Sequence, residues 1–398
     1  MLILMENFSI YLHIPFCVHR CSYCDFNTTA GQQAFIPEYV NALRQEIRWT
    51  EANVPVHTIY FGGGTPSLLS PDQFETILLD ISNHFQVSRD AEVTLEANPG
   101  TVTQNQLNAL RQIGFNRISF GMQSAIPEEL CLLQRKHNTY DVIRAVDWAR
   151  RAGFKQLSLD LIYGVPGQSL KNWQQSLEMA LKLRPDHLSL YSLQVEEGTP
   201  LFRWTARGLV SIPDDDIAAD QYEWAMQRLE EAGFEQYEIS NWARRDERGL
   251  NVSRHNLQYW LNQPYLGLGA AAHGYAGGYR VANVPSLMDY LKLMKEGGPQ
   301  PFPFGCANET RIKIDLEDEI QETMMVGLRL TELGVSRKAF HERFQFDMEE
   351  LYGNVIKRLI HAGLLEWGGQ DADQLRLTRR GRLLGNRVFM EFVGKYRC

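Results

Sequence analysis

Over roughly its first 240 residues the chain alternates short β-rich runs with helical stretches, and this constrains the fold more than any other feature. Runs at Phe8–His13, Thr58–Phe61, Glu92–Ala97, Arg117–Phe120, Gln156–Leu161, His187–Leu193 and Gln236–Ile239 read as strands. Between them Pro37–Thr50, Pro71–Phe85, Gln104–Ile113, Tyr140–Ala152, Leu170–Leu183 and Asp215–Ala232 read as helices. Several of these helices close on glycine, in Ile-Gly-Phe and Ala-Gly-Phe, where a left-handed cap residue is wanted. Repeated βα units need right-handed crossovers and a parallel sheet. Six units fall short of the eight that close a full barrel, so the expectation is α/β, a partial, open (β/α)6 barrel over residues 1–240.

The remainder changes character. Pro264–Tyr279 is too rich in glycine for a helix, and Pro299–Gly305, with a proline at every second position, reads as a linker. Residues 241–305 are therefore expected to form a junction. Beyond it Leu316–Ala362 is helical, and GLLEW and LRLT flank a polar turn as a hairpin. Residues 306–398 then form an α-helical, winged-helix-like domain. The helix at Asp347–Ala362 mixes acids with bases and offers no run of base-reading side chains, so a packing role is preferred. Forty basic against 48 acidic residues give −8, which excludes a chain that coats nucleic acid. With no long apolar run, no transmembrane helix is expected. The start, MLILMENFSIYLHI, lacks a basic n-region and does not read as a signal peptide.

Three of the six cysteines, Cys17, Cys21 and Cys24, fall in the segment CVHRCSYC. Such clustering without a secretion signal points to metal and to the reducing cytoplasm. Three thiolates on one loop can hold three corners of a [4Fe–4S] cube and leave one iron open. The amino and carboxylate groups of S-adenosylmethionine suit that open iron. The alternative is a zinc knot with His13 or His19 as fourth ligand, but structural zinc usually employs paired knuckles and no second pair occurs. The cluster also follows the first strand, at the carboxyl end where βα folds keep their chemistry. Cys131, Cys306 and Cys398 are scattered and read as incidental.

The motif HIPFCVHRCSYCDF, C-x3-C-x2-C with an aromatic residue before the last cysteine, resembles the signature of the radical S-adenosylmethionine superfamily. Within it the chain looks like the oxygen-independent coproporphyrinogen III oxidase/dehydrogenase family and its HemW-type haem chaperone branch, through nearly its whole length. The residues around the motif agree. FGGGTP after the second strand lets backbone approach a ligand, and free N–H groups there can hold a carboxylate. Glu96, Gln123, Arg135 and Asp160 fall at or just after successive strand ends and read as a ligand ring at one mouth. The resemblance implies that Tyr11, Gly63, Gly64, Thr65, Glu96, Gln123, Arg135 and Asp160 contact S-adenosylmethionine. In the family the backbone of the glycine motif binds the cofactor's methionine amino group.

Two departures separate the relatives. The dehydrogenase pattern continues to a fourth cysteine where this chain has Phe26, and the longer N-terminal arm of the dehydrogenase is not expected here. Both look like the chaperone. So does SRHNLQYW, which resembles the chaperone motif HNxxYW and offers His255, Asn256, Tyr259 and Trp260 to haem. His255 has two readings, an iron ligand or a buried histidine hydrogen-bonded within a core. Gly267, Gly269 and Gly274 nearby leave space for a flat ligand. The resemblance implies a haem chaperone with a [4Fe–4S] cluster and S-adenosylmethionine. It would pass haem to apoproteins such as respiratory enzymes and be reduced by a flavodoxin- or ferredoxin-type donor. The second implied activity is oxidative decarboxylation of coproporphyrinogen III. Finally, Arg376, Arg379, Arg380, Arg382, Arg387, Lys395 and Arg397 stand against Glu391 in the last 23 residues. They read as a solvated basic face, or as a contact for an acidic partner or anionic lipid at the inner membrane face.

Overall fold

The computed structural model describes residues 7–50 and 52–394. Six strands lie parallel, in the order in which the chain makes them: β1 (Phe8–Ile14), β2 (Pro55–Gly63), β3 (Gln86–Ala97), β4 (Arg117–Gln123), β5 (Gln156–Tyr163) and β6 (His187–Ser192). The helices that return the chain are α1 (Ile36–Trp49), α2 (Pro71–His84), α3 (Gln104–Gln112), α4 (Thr139–Arg151) and α5 (Leu170–Lys182), with α6 (Asp215–Glu231) after β6. Local chemistry sets their ends. Ser70 with Gln73 and Asn138 with Asp141 form capping boxes at α2 and α4. Gly114, Gly153 and Gly233 take the left-handed conformation after α3, α4 and α6.

The strands alternate with period two, and both faces are buried. Ile10, Leu12, Ile59, Phe61, Leu95, Ile118, Phe120, Leu157 and Leu159 make one face, where Phe61 meets Phe74 of α2 at 5.1 Å. Each such side chain contributes about 1.5–3 kcal/mol. The other face is polar: Ser9, Thr58, Thr94, Arg117, Ser119, Ser158, His187 and Ser189 are all under 10% exposed. Because the helices cover the apolar face, the polar one is the barrel interior. Buried polar groups need partners, and a neighbouring strand supplies one where Thr58 donates to Ser9 at 2.5 Å, whereas the Thr94 hydroxyl is buried without a hydrogen bond.

The described residues fall into two compact units, one running to Arg228 and resuming over Pro264–Ile312, the other comprising Leu229–Gln263 and the chain from Lys313. The stretch expected as a junction, 241–305, is thus divided between them. Its glycine-rich part completes the first unit. Tyr265–Leu268 pairs parallel to β1, from Ser9 opposite Tyr265 to Leu12 opposite Leu268, and His273–Ala276 and Tyr279–Asn283 follow antiparallel. A Cβ on Gly267 would lie 1.9 Å from the His273 carbonyl oxygen, and one on Gly269 (φ +98°) 2.5 Å from Tyr39 Oη. At Gly267 and Gly269 the glycines let the chain close on itself, so what requires glycine there is the chain's own backbone and side chains. Buried Glu46 of α1 ties the segment down: it accepts from the Gly269 N–H, Asn283 Nδ2 and Tyr290 Oη, each at 2.7 Å. The proline-rich 299–305 is no free linker either. Phe302 packs edge-on against Phe8, and Phe304 against Tyr279.

The second unit corrects the seventh strand. Phe234–Glu238 pairs antiparallel with Asn241–Asp246 rather than joining the parallel series. Two intervening residues permit a hairpin, whereas a parallel partner needs a crossover of a dozen or more. Helices Leu316–Gly327, Arg337–Phe344 and Met348–His361 precede the expected hairpin, Leu365–Gly368 with Gln374–Leu377, to which Val335–Ser336 adds a third strand. Ile320, Phe340, Tyr352, Leu359, Leu365 and Leu377 belong to one core cluster.

Candidate functional site

The cysteine loop leaves the carboxyl end of β1. Cys17 is 8% exposed, and Cys21 and Cys24 are half-buried. Ser22 between them has no exposure. Its hydroxyl donates to the Leu132 carbonyl at 2.7 Å, its N–H to Leu133 at 3.3 Å, and its carbonyl accepts from the Leu201 N–H at 2.9 Å. The loop is therefore clamped to the segments that follow β4 and β6. Phe26, where a fourth cysteine would stand, is 63% exposed.

A hydrogen-bond chain joins the thiols across three further strand ends. The Thr65 hydroxyl donates to Cys17 Sγ at 3.5 Å, and Asn98 Nδ2 to Thr65 at 3.0 Å. Arg135 donates to Asn98 Oδ1, to the Gly121 carbonyl at 2.9 Å and to Cys21 Sγ at 3.5 Å. Burial pushes the Cys17 thiol up, against the Thr65 bond, and burial likewise raises Cys24. A bound metal would deprotonate these thiols. Arg135 Nε is buried without a hydrogen-bond partner.

The carboxylates lie one layer below. Glu96 accepts from Tyr60 Oη at 2.6 Å and from the Gly63 N–H at 3.3 Å. Burial, and then the neighbouring Asp160 charge, push it up to about 7. Asp160 accepts from Ser119 through both oxygens at 3.0 Å, and burial pushes it up to about 6 against hydrogen bonds and the positive charge of Arg135 and Arg117. Tyr11 stacks on Tyr60 with ring centres 6.1 Å apart, and its hydroxyl meets His13 Nδ1 at 3.0 Å. Since His13 Nε2 faces the Asn27 carbonyl at 2.8 Å, that nitrogen carries the proton and Nδ1 accepts from Tyr11. Gln123 sits at φ +64° where β4 slips register against β5. A Cβ on Gly121 would lie 2.8 Å from its Nε2.

The glycine motif differs from expectation in detail. The N–H groups of Gly63, Gly64 and Thr65 are engaged by Glu96, Ile14 and Phe16, so a carboxylate finds no donors in them. A Cβ on Gly63 would lie 2.6 Å from His13 Cε1, and one on Gly64 2.7 Å from the Phe16 carbonyl oxygen. These glycines let the ends of β1 and β2 close on each other.

Tyr11, Gly63, Gly64, Thr65, Glu96, Gln123, Arg135 and Asp160 all lie at or near the carboxyl ends of β1–β5. Sequence reasoning missed Asn98, Tyr60, Ser119 and Ser22. Asn98 was within reach, two residues after Glu96 in the same LEANP segment. Among the described residues no three His, Cys, Asp or Glu side chains gather tightly enough for a single metal ion.

His255, Asn256, Tyr259 and Trp260 belong to the second unit, on the helix Arg254–Trp260 capped by Ser253. His255 is 1% exposed, and its Nε2 meets Tyr259 Oη at 2.8 Å. Arg329 lies 4.3 Å over the Trp260 ring and pairs with buried Glu238 at 3.1 Å. Of the basic terminal residues, Arg376 pairs with Glu366 and Glu332, Arg382 with Glu332, and Arg379 with Glu230 at 3.7 Å, so the strip is partly neutralised within its own unit. Lys395 and Arg397 lie outside the described residues, as do residues 1–6 of the apolar start.

A cysteine loop after β1, a glycine motif after β2 and polar side chains at the ends of β3–β5 define a radical S-adenosylmethionine protein. Residues 11–180 match the model of the Radical SAM superfamily, and residues 314–384 that of the HemN C-terminal domain. Within that class the chain belongs to the family of proteins named Heme chaperone HemW. It is 40% identical to the one from Bacillus subtilis, over 97% of this chain and 99% of that protein. It is 36% identical to the one from Lactococcus lactis, over 97% of each. The structure of coproporphyrinogen III oxidase (HemN) from Escherichia coli superposes with a TM-score of 0.81 at 24% identity, covering 97% of this chain and 90% of that one, and shares the fold.

Proposed function

We propose that the chain is a haem chaperone that carries a [4Fe–4S] cluster on Cys17, Cys21 and Cys24, binds S-adenosylmethionine beside it, and passes haem to apoproteins. Phe26 is the observation that carries the choice between relatives. It replaces the fourth cysteine of the dehydrogenase pattern with a side chain that can neither ligate metal nor exchange protons. The near full-length likeness to proteins named as heme chaperones supports the same reading.

When bound, the cluster would supply an electron to the sulfonium of S-adenosylmethionine. The chain's own residues hold and orient. Cys17, Cys21 and Cys24 would supply thiolates, and Thr65 and Arg135 donate to two of the sulfurs. The unpartnered Arg135 Nε suits a carboxylate, while Glu96 and Asp160 suit the hydroxyl and ammonium groups of the cofactor. Tyr11, Gly63, Gly64 and Gln123 shape the walls. Haem would engage His255, Asn256, Tyr259 and Trp260, with the His255–Tyr259 hydrogen bond exchanged for a bond to iron. A flavodoxin- or ferredoxin-type donor would serve as reductant and apo-haemoproteins such as respiratory enzymes as acceptors, in the cytoplasm or at the inner membrane face. No helix among the described residues is long and apolar enough to cross a membrane.

The test is an anaerobic titration of the cluster-loaded protein with haem, alongside an assay for protoporphyrinogen formation from coproporphyrinogen III. The proposal expects saturable haem binding and no product. Product formation with no haem binding would establish the decarboxylase instead.

A further inference from the structure

Beneath the carboxylates the barrel carries a second polar layer that the site does not use. Ser9, Thr58, Glu92, Arg117, Ser158 and His187 are each at most 2% exposed. A buried guanidinium is costly unless paired. Arg117 Nη1 lies 3.6 Å from Glu92 Oε2, and Nη2 donates to Ser158 Oγ at 3.2 Å.

Two strands carry this group to the cofactor mouth. Ser158 stands two residues before Asp160 on the same face of β5, and Arg117 two residues before Ser119 on the same face of β4. Ser119 is the residue that donates to both Asp160 oxygens. The guanidinium therefore sits directly below the carboxylate. Burial raises Asp160, and the charges of Arg135 and Arg117 oppose the rise. Burial lowers His187, and Arg117 lowers it further, so that His187 adds no second charge. Facing Asp160 from the other elements are Glu96 of β3, Tyr60 of β2, Ser189 of β6 and Arg135 of the loop after β4.

We propose that Arg117 is a positioning residue for the cofactor site, holding the Asp160 carboxylate from below as an acceptor for the donor groups of S-adenosylmethionine. This rests on the reading of Asp160 as a cofactor contact. Glu92 is the counterweight: it fixes the guanidinium and moderates its field.

The test is the affinity of cluster-loaded protein for S-adenosylmethionine, by calorimetry from about pH 6 to about pH 9, with each variant read as a ratio to wild type. Arg117→Met should bind about fivefold more weakly at neutral pH, because the lost charge leaves Asp160 largely protonated. The deficit should vanish by about pH 9, where Asp160 ionises regardless. Arg117→Lys should restore most of the affinity. Glu92→Gln should move the acid limb the opposite way, extending tight binding to lower pH, and it decides the matter should Arg117→Met fail to fold. A deficit equal at every pH, or a Glu92→Gln limb displaced upward, overturns the proposal. Wild-type affinity in Asp160→Asn removes Asp160 as a contact and the proposal with it.

Discussion

Glu96→Gln should stabilise the cofactor-free chain at alkaline pH while harming the site. Glu96 is enclosed, with one hydroxyl and one amide as donors. Burial and Asp160 raise it from 4.5 to about 7. A carboxyl whose folded-state value lies above its unfolded one stabilises the fold below the unfolded value, and that contribution is lost as pH rises through the folded value. Glutamine stays neutral and keeps an acceptor for Tyr60. At pH 8 the whole displacement applies and Glu96→Gln gains on the order of 3 kcal/mol. At pH 5 most of the folded-state carboxyl is already protonated and the gain falls below about 1 kcal/mol. Urea unfolding of the apo-protein at both pH values, followed by circular dichroism, reads the difference. Equal effects at the two pH values, or destabilisation at pH 8, would refute the assignment of Glu96 as an ionisable group held against its solvation. The same variant should bind S-adenosylmethionine more weakly at pH 8, since it removes a charged acceptor.

Replacing any of Cys17, Cys21 or Cys24 by Ala should abolish the iron–sulfur absorbance of reconstituted protein while Cys131→Ala keeps it; full iron content in Cys21→Ala would sink the ligand set. Glu46→Ala strands three buried donors and should cost about 3–5 kcal/mol in urea unfolding, well above Glu46→Gln, which keeps an acceptor. Similar losses from both would mean that the hydrogen bonds do not hold the glycine-rich strands. His255→Ala should shift the Soret band of bound haem, and a wild-type spectrum would remove His255 as the ligand. Tyr259→Phe removes the hydroxyl that His255 Nε2 meets and should change haem affinity about fivefold; unchanged affinity would mean that this contact does not bear on haem binding.

The parallel barrel was legible because helix period, strand runs and glycine caps agreed on it, and Gly114, Gly153 and Gly233 stand where the caps were expected. The cysteine loop was legible as a motif because its three thiols are local in sequence. What escaped depends on contacts between distant segments. Tyr265–Leu268 is a short glycine-broken run, and only the 1.9 Å clearance at Gly267 and the pairing with β1 explain its glycines. Gln236–Ile239 has a strand's composition, but composition does not distinguish a parallel strand from the arm of a hairpin. Asn98 and Ser22 went unread because an amide or a hydroxyl in a loop carries no pattern. Asn98 acts where the ends of β2, β3 and β4 converge, and Ser22 where the segments after β4 and β6 meet the cysteine loop. The N–H groups of the glycine motif looked available because a sequence does not say which donors the chain itself engages.

The most direct test of the chaperone reading is transfer. Haem-loaded, cluster-reconstituted protein is mixed anaerobically with an apo-haemoprotein, the two are separated, and the Soret absorbance of each is measured with and without S-adenosylmethionine. The account predicts that haem leaves this chain and appears, correctly ligated, in the acceptor at a rate exceeding that of free haem. Haem that stays bound, or an acceptor filled no faster than from free haem, would contradict it.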